Sequence, residues 1–490
     1  MKKILIANRG EIAIRIARTC NDLGIRTVGI YSEDDSKSLH LSKVDEAYKI
    51  DGKGAAAYLN IKEVIAVAKE AKVDAIHPGY GFLSENVKLA SSAKRSNIKF
   101  IGPNEKALKV FGDKTSAKAL ASDLSVPITL GTSAKTSLKQ AENFFKGLKK
   151  NSSILIKAIS GGGGRGMRIV SNLEDLKAAF ERASSEAEAS FDSPDLYVEE
   201  YLKDYRHIEF QILGDGTGNV IHLHERECSI QRRHQKLIEI APSPSLNQDL
   251  KNKMIEASLA FGTKVKYEGL ATIEFLVNIE KGDFRFIECN PRIQVEHTVT
   301  ESITSLDLVK LQIQIASGKT LKQLKLDQDL IKEPKGFAIQ SRINMETIGE
   351  DGNANPAGGI FESFDLPSGP GVRADSYGYS GYETNPLFDS LIAKVITYSS
   401  EDNFKQACKR NYRSLCEFKI KGVPTNIEIL KNVLINKEFL NNRVHTNFFE
   451  NNLKDLLSHH NHSTYQILLE ASRRKKLNEE RLRILILWQC

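Results

Sequence analysis

No stretch of this 490-residue sequence approaches the ~18–20 consecutive apolar residues that a membrane-spanning helix needs. The opening Met1-Lys2-Lys3-Ile4-Leu5-Ile6-Ala7 resembles the start of a secretory leader. Arg9, Glu11, Arg15 and Arg18 interrupt it before an apolar segment forms. No membrane partner is therefore expected, and a cytoplasmic location is. Cys20, Cys228, Cys289, Cys408, Cys416 and Cys490 include no C-x-x-C pair, which predicts free thiols in a reducing compartment. There is no internal repeat and no low-complexity block. Charge of one sign is also scarce: 69 basic against 62 acidic residues leave +7. That balance suits nucleotide phosphates but lacks the clustered basic face of a nucleic-acid binder, so no nucleic-acid partner is expected. The one basic cluster, Arg473-Arg474-Lys475-Lys476, lies near Glu479 and Glu480 and reads as a solvated helix face.

What is present is an ordinary globular composition, 41% hydrophobic and 27% charged. At this length the chain divides into about two to four domains. Lys3–Ala7 and Thr27–Tyr31 read as strands, with helical spacing of Ile12, Ala13, Ile16 and Ala17 between them. Val64–Ala71 reads as helix, and Ala75-Ile76 and Lys99–Ile101 as short strands. Such alternation predicts an α/β fold with a parallel sheet over residues 1–112. The turn Ile6–Glu11 falls at a strand's carboxyl end, where such sheets bind ligands, but it lacks G-x-G-x-x-G, which excludes a Rossmann dinucleotide site there.

Residues 113–330 form the second expected domain, helical to about 150 and strand-dominated from Ile154 to about Asn290. Helices are predicted over roughly 249–264 and 304–317. Lys332–Lys335 reads as a linker to a separate β-rich domain, 331–445, with strands at Gly336–Arg342, Gly359–Phe364 and Leu391–Tyr398. Residues 446–490 read as a helical tail, with no core role expected from about 450.

Ser153–Ala158 and Met167–Val170 read as strands flanking Gly161-Gly162-Gly163-Gly164-Arg165-Gly166. Four consecutive glycines are costly to order but let backbone N–H groups close on phosphate oxygens. No Gly-Lys-Ser/Thr follows and the next element is a strand, which excludes a P-loop. A hairpin-borne lid over a nucleotide remains, with Lys157 on its entering strand as a phosphate ligand. The alternative is a merely flexible loop.

Ala271–Val277 and Phe284–Asn290 flank a polar turn around Lys281-Gly282-Asp283. A hairpin centred on residue 281 sets Glu274 opposite Glu288, and strand alternation puts Asn290 on the same face. Two facing carboxylates repel and pay desolvation unless a cation neutralises them. An all-oxygen donor set favours Mg²⁺ over Zn²⁺. Ion pairs to Lys or Arg are the alternative. The alternation continues through Arg292, Gln294 and Glu296, a polar comb in which Arg292 can fork onto a planar anion and Glu296 can act as a general base. His222, His224, Cys228 and His234 match no zinc spacing. Arg232, Arg233 and Lys236 instead form either a positive rim for an anion or a solvated charged face.

Ala7–Ala13, His77–Asn86, Lys157-Ala158 with Gly161–Met167, Gln231–Lys236 and Asn290–His297 together resemble biotin carboxylase, the ATP-grasp component of acetyl-CoA, propionyl-CoA and pyruvate carboxylases. The likeness runs from about residue 2 to about 450. It implies an N-terminal Rossmann-like pre-ATP-grasp domain, an ATP-grasp fold with a mobile lid at about 131–203, and a C-terminal β-rich biotin carboxylase domain. It implies that Lys114, Lys157, Gly163, Gly164 and His207 hold the ATP phosphates and ribose. Glu199, Glu200, Tyr201, Leu202 and His234 would surround the adenosine, with Met167 and Gln231 in the same nucleotide set. Glu274, Glu288 and Asn290 would bind two Mg²⁺ or Mn²⁺ ions. Lys236, Arg292 and the Val295 backbone would bind bicarbonate, Glu296 would deprotonate it, and Arg342 would steady the biotin enolate.

The implied enzyme is a ligase that carboxylates biotin through carboxyphosphate. Met1, Met167, Met254 and Met345 form no Met-Lys-Met, so biotin is expected as a substrate on a separate biotin carboxyl carrier protein, with carboxyltransferase subunits as further partners and a homodimer as the assembly. An acyl-CoA carboxylase of fatty acid biosynthesis is the main expectation for the acceptor. The alternatives are a two-subunit pyruvate carboxylase and a non-catalytic scaffold. Another ATP-grasp ligase, of the carbamoyl-phosphate or purine kind, would lack the Arg292–Glu296 strip and Arg342 together.

Overall fold

Apolar strands alternating with amphipathic helices build the expected parallel sheet. β1 (Lys3–Ile6), β2 (Arg26–Tyr31), β3 (Glu46–Lys49), β4 (Ala75–His77) and β5 (Lys99–Phe100) lie in the order β3-β2-β1-β4-β5, every pair parallel. The computed structural model describes residues 1–132, 135–150, 152–159 and 167–458. Ile4, Leu5 and Ile6 are fully buried, as a sheet covered on both faces requires. The chain leaves β1 through Gly10 at φ +64°, where a Cβ would stand 3.2 Å from the Tyr377 ring. This turn braces domains rather than opening a ligand site. Arg9 pairs with Asp35 at 2.6 Å, and Glu11 with Lys394 at 3.0 Å.

β6 (Ser153–Ala158), β7 (Met167–Val170) and β8 (Leu196–Tyr201) form a separate antiparallel sheet, ordered β7-β6-β8. The predicted hairpin is present, with Lys157 opposite Met167. Its glycine-rich turn, residues 161–166, lies outside the described residues. The strand-dominated reading of 154–290 needs correction at Leu173–Phe191, a 19-residue helix. It buries Leu176, Ala179, Ala183 and Ala187, a helical stripe made of alanines too small to stand out in the sequence.

The remaining strands are β9 (Arg206–Asp215), β10 (Val220–Arg232), β11 (Gln235–Ala241), β12 (Glu268–Asn278), β13 (Asp283–Asn290), β14 (Phe337–Asn344), β15 (Glu346–Ile348), β16 (Ala354–Pro356), β17 (Ser363–Asp365), β18 (Val372–Ser376), β19 (Leu391–Ser399) and β20 (Lys419–Lys421). Eight of them form one antiparallel sheet, β13-β12-β9-β10-β11-β14-β19-β18, while β15–β16 and β17–β20 are small pairs. The C-terminal region is joined to the ATP-grasp region through this sheet. β14 pairs with β11, Ile238 opposite Ser341, so the central sheet runs on past Lys332–Lys335.

Phe448, Phe449 and Leu456 are at most 1% exposed and belong to the core that β14 and β19 share with Phe439 and Leu430. Residues 446–458 thus close a core, against the expectation for the tail. Residues 459–490, including the basic cluster, lie outside the described residues. No described helix is long and apolar enough to cross a membrane.

Candidate active site

Register sets the site. Glu288 on β13 stands opposite Glu274 on β12, Glu274 opposite Glu209 on β9, and Glu209 opposite Arg226 on β10. One row of the sheet thus carries three neighbouring carboxylates, which repel unless cations intervene. Glu274 and Glu288 do pair, by an unexpected route. Near the turn the register centres half a residue earlier (Asn278 opposite Asp283), and an extra residue at Ile287 shifts it so that Glu274 meets Glu288.

Lys236 on β11 supplies the first cation. Its Nζ lies 2.6 Å from Glu209, 3.1 Å from Glu274 and 2.7 Å from Glu296. Burial disfavours this ammonium, but the three carboxylates outweigh it and hold Lys236 well above its ordinary range. Arg342 on β14 donates to Glu296 at 3.0 Å and to Glu239 at 2.5 Å. Burial alone would raise the Glu296 carboxyl; Lys236 and Arg342 together pull it well below the usual carboxylate range, so it is ionised at neutral pH.

Glu274 also has His207 Nε2 at 2.7 Å and accepts from Asn290 at 2.7 Å and Gln294 at 2.8 Å. The Nδ1 of His207 accepts from Gln231 at 2.7 Å, which leaves Nε2 as the protonated nitrogen facing Glu274. In this structure, then, Glu274 is neutralised by Lys236, the ion-pair alternative, and His207 adds a hydrogen bond to it. Glu288 makes no ion pair among the described residues, is half-buried, and touches Asn290 at 3.4 Å. An uncompensated carboxylate beside a second one offers oxygen donors that fit Mg²⁺ or Mn²⁺, which Asn290 would join by turning its amide, since its Nδ2 faces both carboxylates and its Oδ1 accepts from Arg292. The described residues also bring His207, Glu209 and Glu274 close enough to share a cation.

Glu288 acts electrostatically on Lys157 and Tyr197, which ties this row to the three-stranded sheet. Lys157 Nζ lies 2.6 Å from Glu199 on β8, and Lys118 contacts the other oxygen of Glu199. Burial, then repulsion from Lys118 and Lys114, drives the Lys157 ammonium well below its ordinary range. A phosphate anion would relieve that penalty. Glu200 and Leu202 flank the end of β8, and Tyr201 bonds to Asn447 at 2.9 Å. His234 stands exposed in the β10–β11 turn, within electrostatic reach of Lys157 and His207. Gly163 and Gly164 lie outside the described residues.

Two sequence readings are corrected here. The polar comb is not a strand past Asn290; β13 ends there, and Pro291–Val295 form a loop before Glu296, the N-cap of the helix His297–Thr304. Its polar residues still reach the site. Arg292 bonds Asn290 at 3.1 Å and Glu85 at 2.7 Å, and the Val295 carbonyl accepts from buried Lys394 at 3.1 Å. The positive rim does not form either. Arg232 is buried on Glu346 at 2.9 Å, Arg233 is exposed in the turn, and Lys236 lies beneath three carboxylates. His222 and His224 pack edge-to-face, and His224 meets the Lys332 carbonyl at 3.0 Å.

Glu209, Glu239, Lys118 and Lys394 escaped the sequence reading. Glu209 carried a signal: His207, Glu209 and Gln211 alternate with the apolar Ile208, Phe210 and Ile212, a polar face within a buried strand.

A carboxylate row beside a lysine cluster, carried by an antiparallel sheet and a hairpin-bearing smaller one, is the arrangement of an ATP-grasp ligase. Residues 1–108 match the biotin carboxylase N-terminal domain, 113–324 the carbamoyl-phosphate synthase L chain ATP-binding domain, and 340–451 the biotin carboxylase C-terminal domain. The biotin carboxylase domain dimer of Hydrogenobacter thermophilus 2-oxoglutarate carboxylase, solved with MgADP and bicarbonate, is 41% identical. It superposes with a TM-score of 0.89 and coverage of 94% of this chain and 99% of that one. The biotin carboxylase subunit of a pyruvate carboxylase is 40% identical at TM-score 0.77, covering 94% and 100% of the two chains. Human mitochondrial pyruvate carboxylase is 46% identical over 457 residues, 92% of this chain but 38% of its own length. This chain belongs to the biotin carboxylase family of ATP-dependent ligases.

Proposed function

We propose that this chain catalyses the first half-reaction of a biotin-dependent carboxylase, making carboxybiotin from ATP, bicarbonate and biotin held on a carrier protein. The observation that carries the reading is Lys236 shared by Glu209, Glu274 and Glu296, with Arg342 on the far side of Glu296. An arriving bicarbonate competes for Lys236, Arg292 and the Val295 N–H, and Glu296 takes its proton. The carbonate oxygen attacks the γ-phosphorus as the bond to ADP breaks, giving carboxyphosphate. Lys157 and Lys114 meet the phosphate charge. Carboxyphosphate then splits into CO₂ and phosphate. The phosphate accepts the ureido proton, N1′ captures the CO₂, and Arg342 steadies the enolate. Glu274, Glu288 and Asn290 would hold Mg²⁺ or Mn²⁺, which supplies neutralising charge for the phosphates. Glu199–Leu202, Met167, Gln231 and His234 would bound the nucleoside.

The carboxyl acceptor we infer is a 2-oxo acid such as pyruvate, rather than the acyl-CoA that the sequence favoured. Curated relatives support it, being named as pyruvate carboxylases, as do solved relatives named as 2-oxoglutarate and pyruvate carboxylases. One solved relative is a long-chain acyl-CoA carboxylase. A separate carrier and transferase, and a homodimer, complete the proposed assembly. The five described cysteines, all unpaired, fit a reducing compartment such as the cytoplasm. A non-catalytic scaffold would have no use for a buried cluster of three carboxylates around Lys236 and Arg342. The test is ADP formation by purified protein. It should require bicarbonate and rise with free biotin, and Glu296→Ala should abolish it with nucleotide affinity retained. Loss of nucleotide binding instead would show that Glu296 is misplaced.

A further inference from the structure

We propose that Arg226 is the positioning residue for the bicarbonate side of the site, acting through Gln294 and Glu209; the inference rests on the function proposed above. Arg226 is fully buried, one of the largest side chains to be so among the described residues. It donates from Nε to Glu209 at 2.5 Å, from Nη1 to Gln211 at 2.8 Å and Thr300 at 3.0 Å, and from Nη2 to Thr272 at 3.0 Å and Gln294 at 2.9 Å. A guanidinium has five N–H donors in a planar fork, and all are used. The acceptors come from β9, β12, the loop after β13 and the helix His297–Thr304. One side chain therefore pins four elements.

Two of its acceptors touch the reacting groups' neighbours. Glu209 turns its other oxygen to Lys236 at 2.6 Å. Gln294, with its carbonyl held by Arg226, can only present its amide nitrogen to Glu274, at 2.8 Å. Free of Arg226, the Gln294 amide has no reason to keep that orientation and Glu209 has one cation fewer to share. Lysine cannot substitute, having three donors on a point charge and no fork. Arg226 makes no bond to Lys157, Glu199 or Lys118, and its link to the nucleotide side runs only through Glu274 and His207, so ADP without metal reads nucleotide binding apart from the bicarbonate side.

The test compares Arg226→Lys and Thr300→Val with the wild type, reading the bicarbonate KM and kcat from ADP formation and the affinity for ADP without metal by calorimetry. Arg226→Lys should raise the bicarbonate KM on the order of tenfold or more and leave ADP affinity within about twofold. Thr300→Val, which removes one acceptor of the fork and touches no substrate group, should raise the bicarbonate KM about two- to threefold alone. An unchanged bicarbonate KM in folded Arg226→Lys overturns the inference, as does equal weakening of bicarbonate and ADP. If Arg226→Lys does not fold, Thr300→Val decides by the same criterion. A wild type whose ADP formation ignores bicarbonate defeats the function and the inference with it. A bicarbonate-dependent wild type with an indifferent variant defeats the inference alone.

Discussion

Lys236 concentrates the electrostatics of the site in one atom. The folded-state carboxyls of Glu274 and Glu296 lie below the ordinary unfolded value of ~4.3. Their contribution to stability is therefore complete above that value and is lost as pH falls through the folded one. Lys236→Met leaves three buried carboxylates without their shared cation, and removing one partner of such a cluster costs about 3–5 kcal/mol. Glu209 and Glu296 keep Arg226 and Arg342, but Glu274 loses its cation and burial then raises its carboxyl above ~4.3, so the sign reverses for that group and the variant gains stability as pH drops from 7 towards 5. Thermal midpoints across that interval check this. The expected result is a variant midpoint that climbs with acid while the wild type stays level or declines. A variant that tracks the wild type at a constant offset would mean that Lys236 is not what holds these charges.

Among the elements, the hairpin of β12 and β13 turns sequence into chemistry. Its apolar residues face the core and its acids face the cleft because strand side chains alternate. Phe286 is fully buried, stacked on Phe261 at 4.6 Å and edge-on to Phe275. Phe286→Ala should cost about 3–5 kcal/mol in denaturant unfolding; a cost under about 1 kcal/mol would place the hairpin elsewhere than against this core. The pairing of Glu274 with Glu288 was legible from counting alone, although the count hid the extra residue at Ile287. The loop Pro291–Val295 was not legible as a loop. Arg292, Gln294 and Glu296 keep a period of two in sequence, yet they converge because the chain turns after Asn290. The helix Leu173–Phe191 escaped because alanines form its buried stripe. Arg232 was misread because its partner, Glu346, is more than a hundred residues away, and no local pattern announces a pair of that kind.

At the scale of the molecule, the central sheet crosses from the ATP-grasp region into the C-terminal region. Arg342, expected to meet biotin, and Lys236, expected to meet bicarbonate, lie on adjacent strands of it, β14 and β11. Cutting the chain at Lys335 would strip β14, β19 and β18 from the sheet and bare β11 as a long edge, a template for aggregation. Residues 1–335 expressed alone should be aggregated by size exclusion; a monodisperse, cooperatively unfolding fragment would show that the sheet is not one unit. The alternation of strands and helices made the N-terminal sheet readable. The continuity of the central sheet was not, because a polar stretch such as Lys332–Lys335 looks alike between domains and between paired strands.

Transfer of labelled carbon from bicarbonate to free biotin, with ATP and Mg²⁺ supplied, tests the central claim most directly. The account predicts labelled carboxybiotin in step with ADP for the wild type, and none for Glu296→Ala. ATP cleavage that proceeds at the same rate without bicarbonate and leaves biotin unlabelled would contradict it.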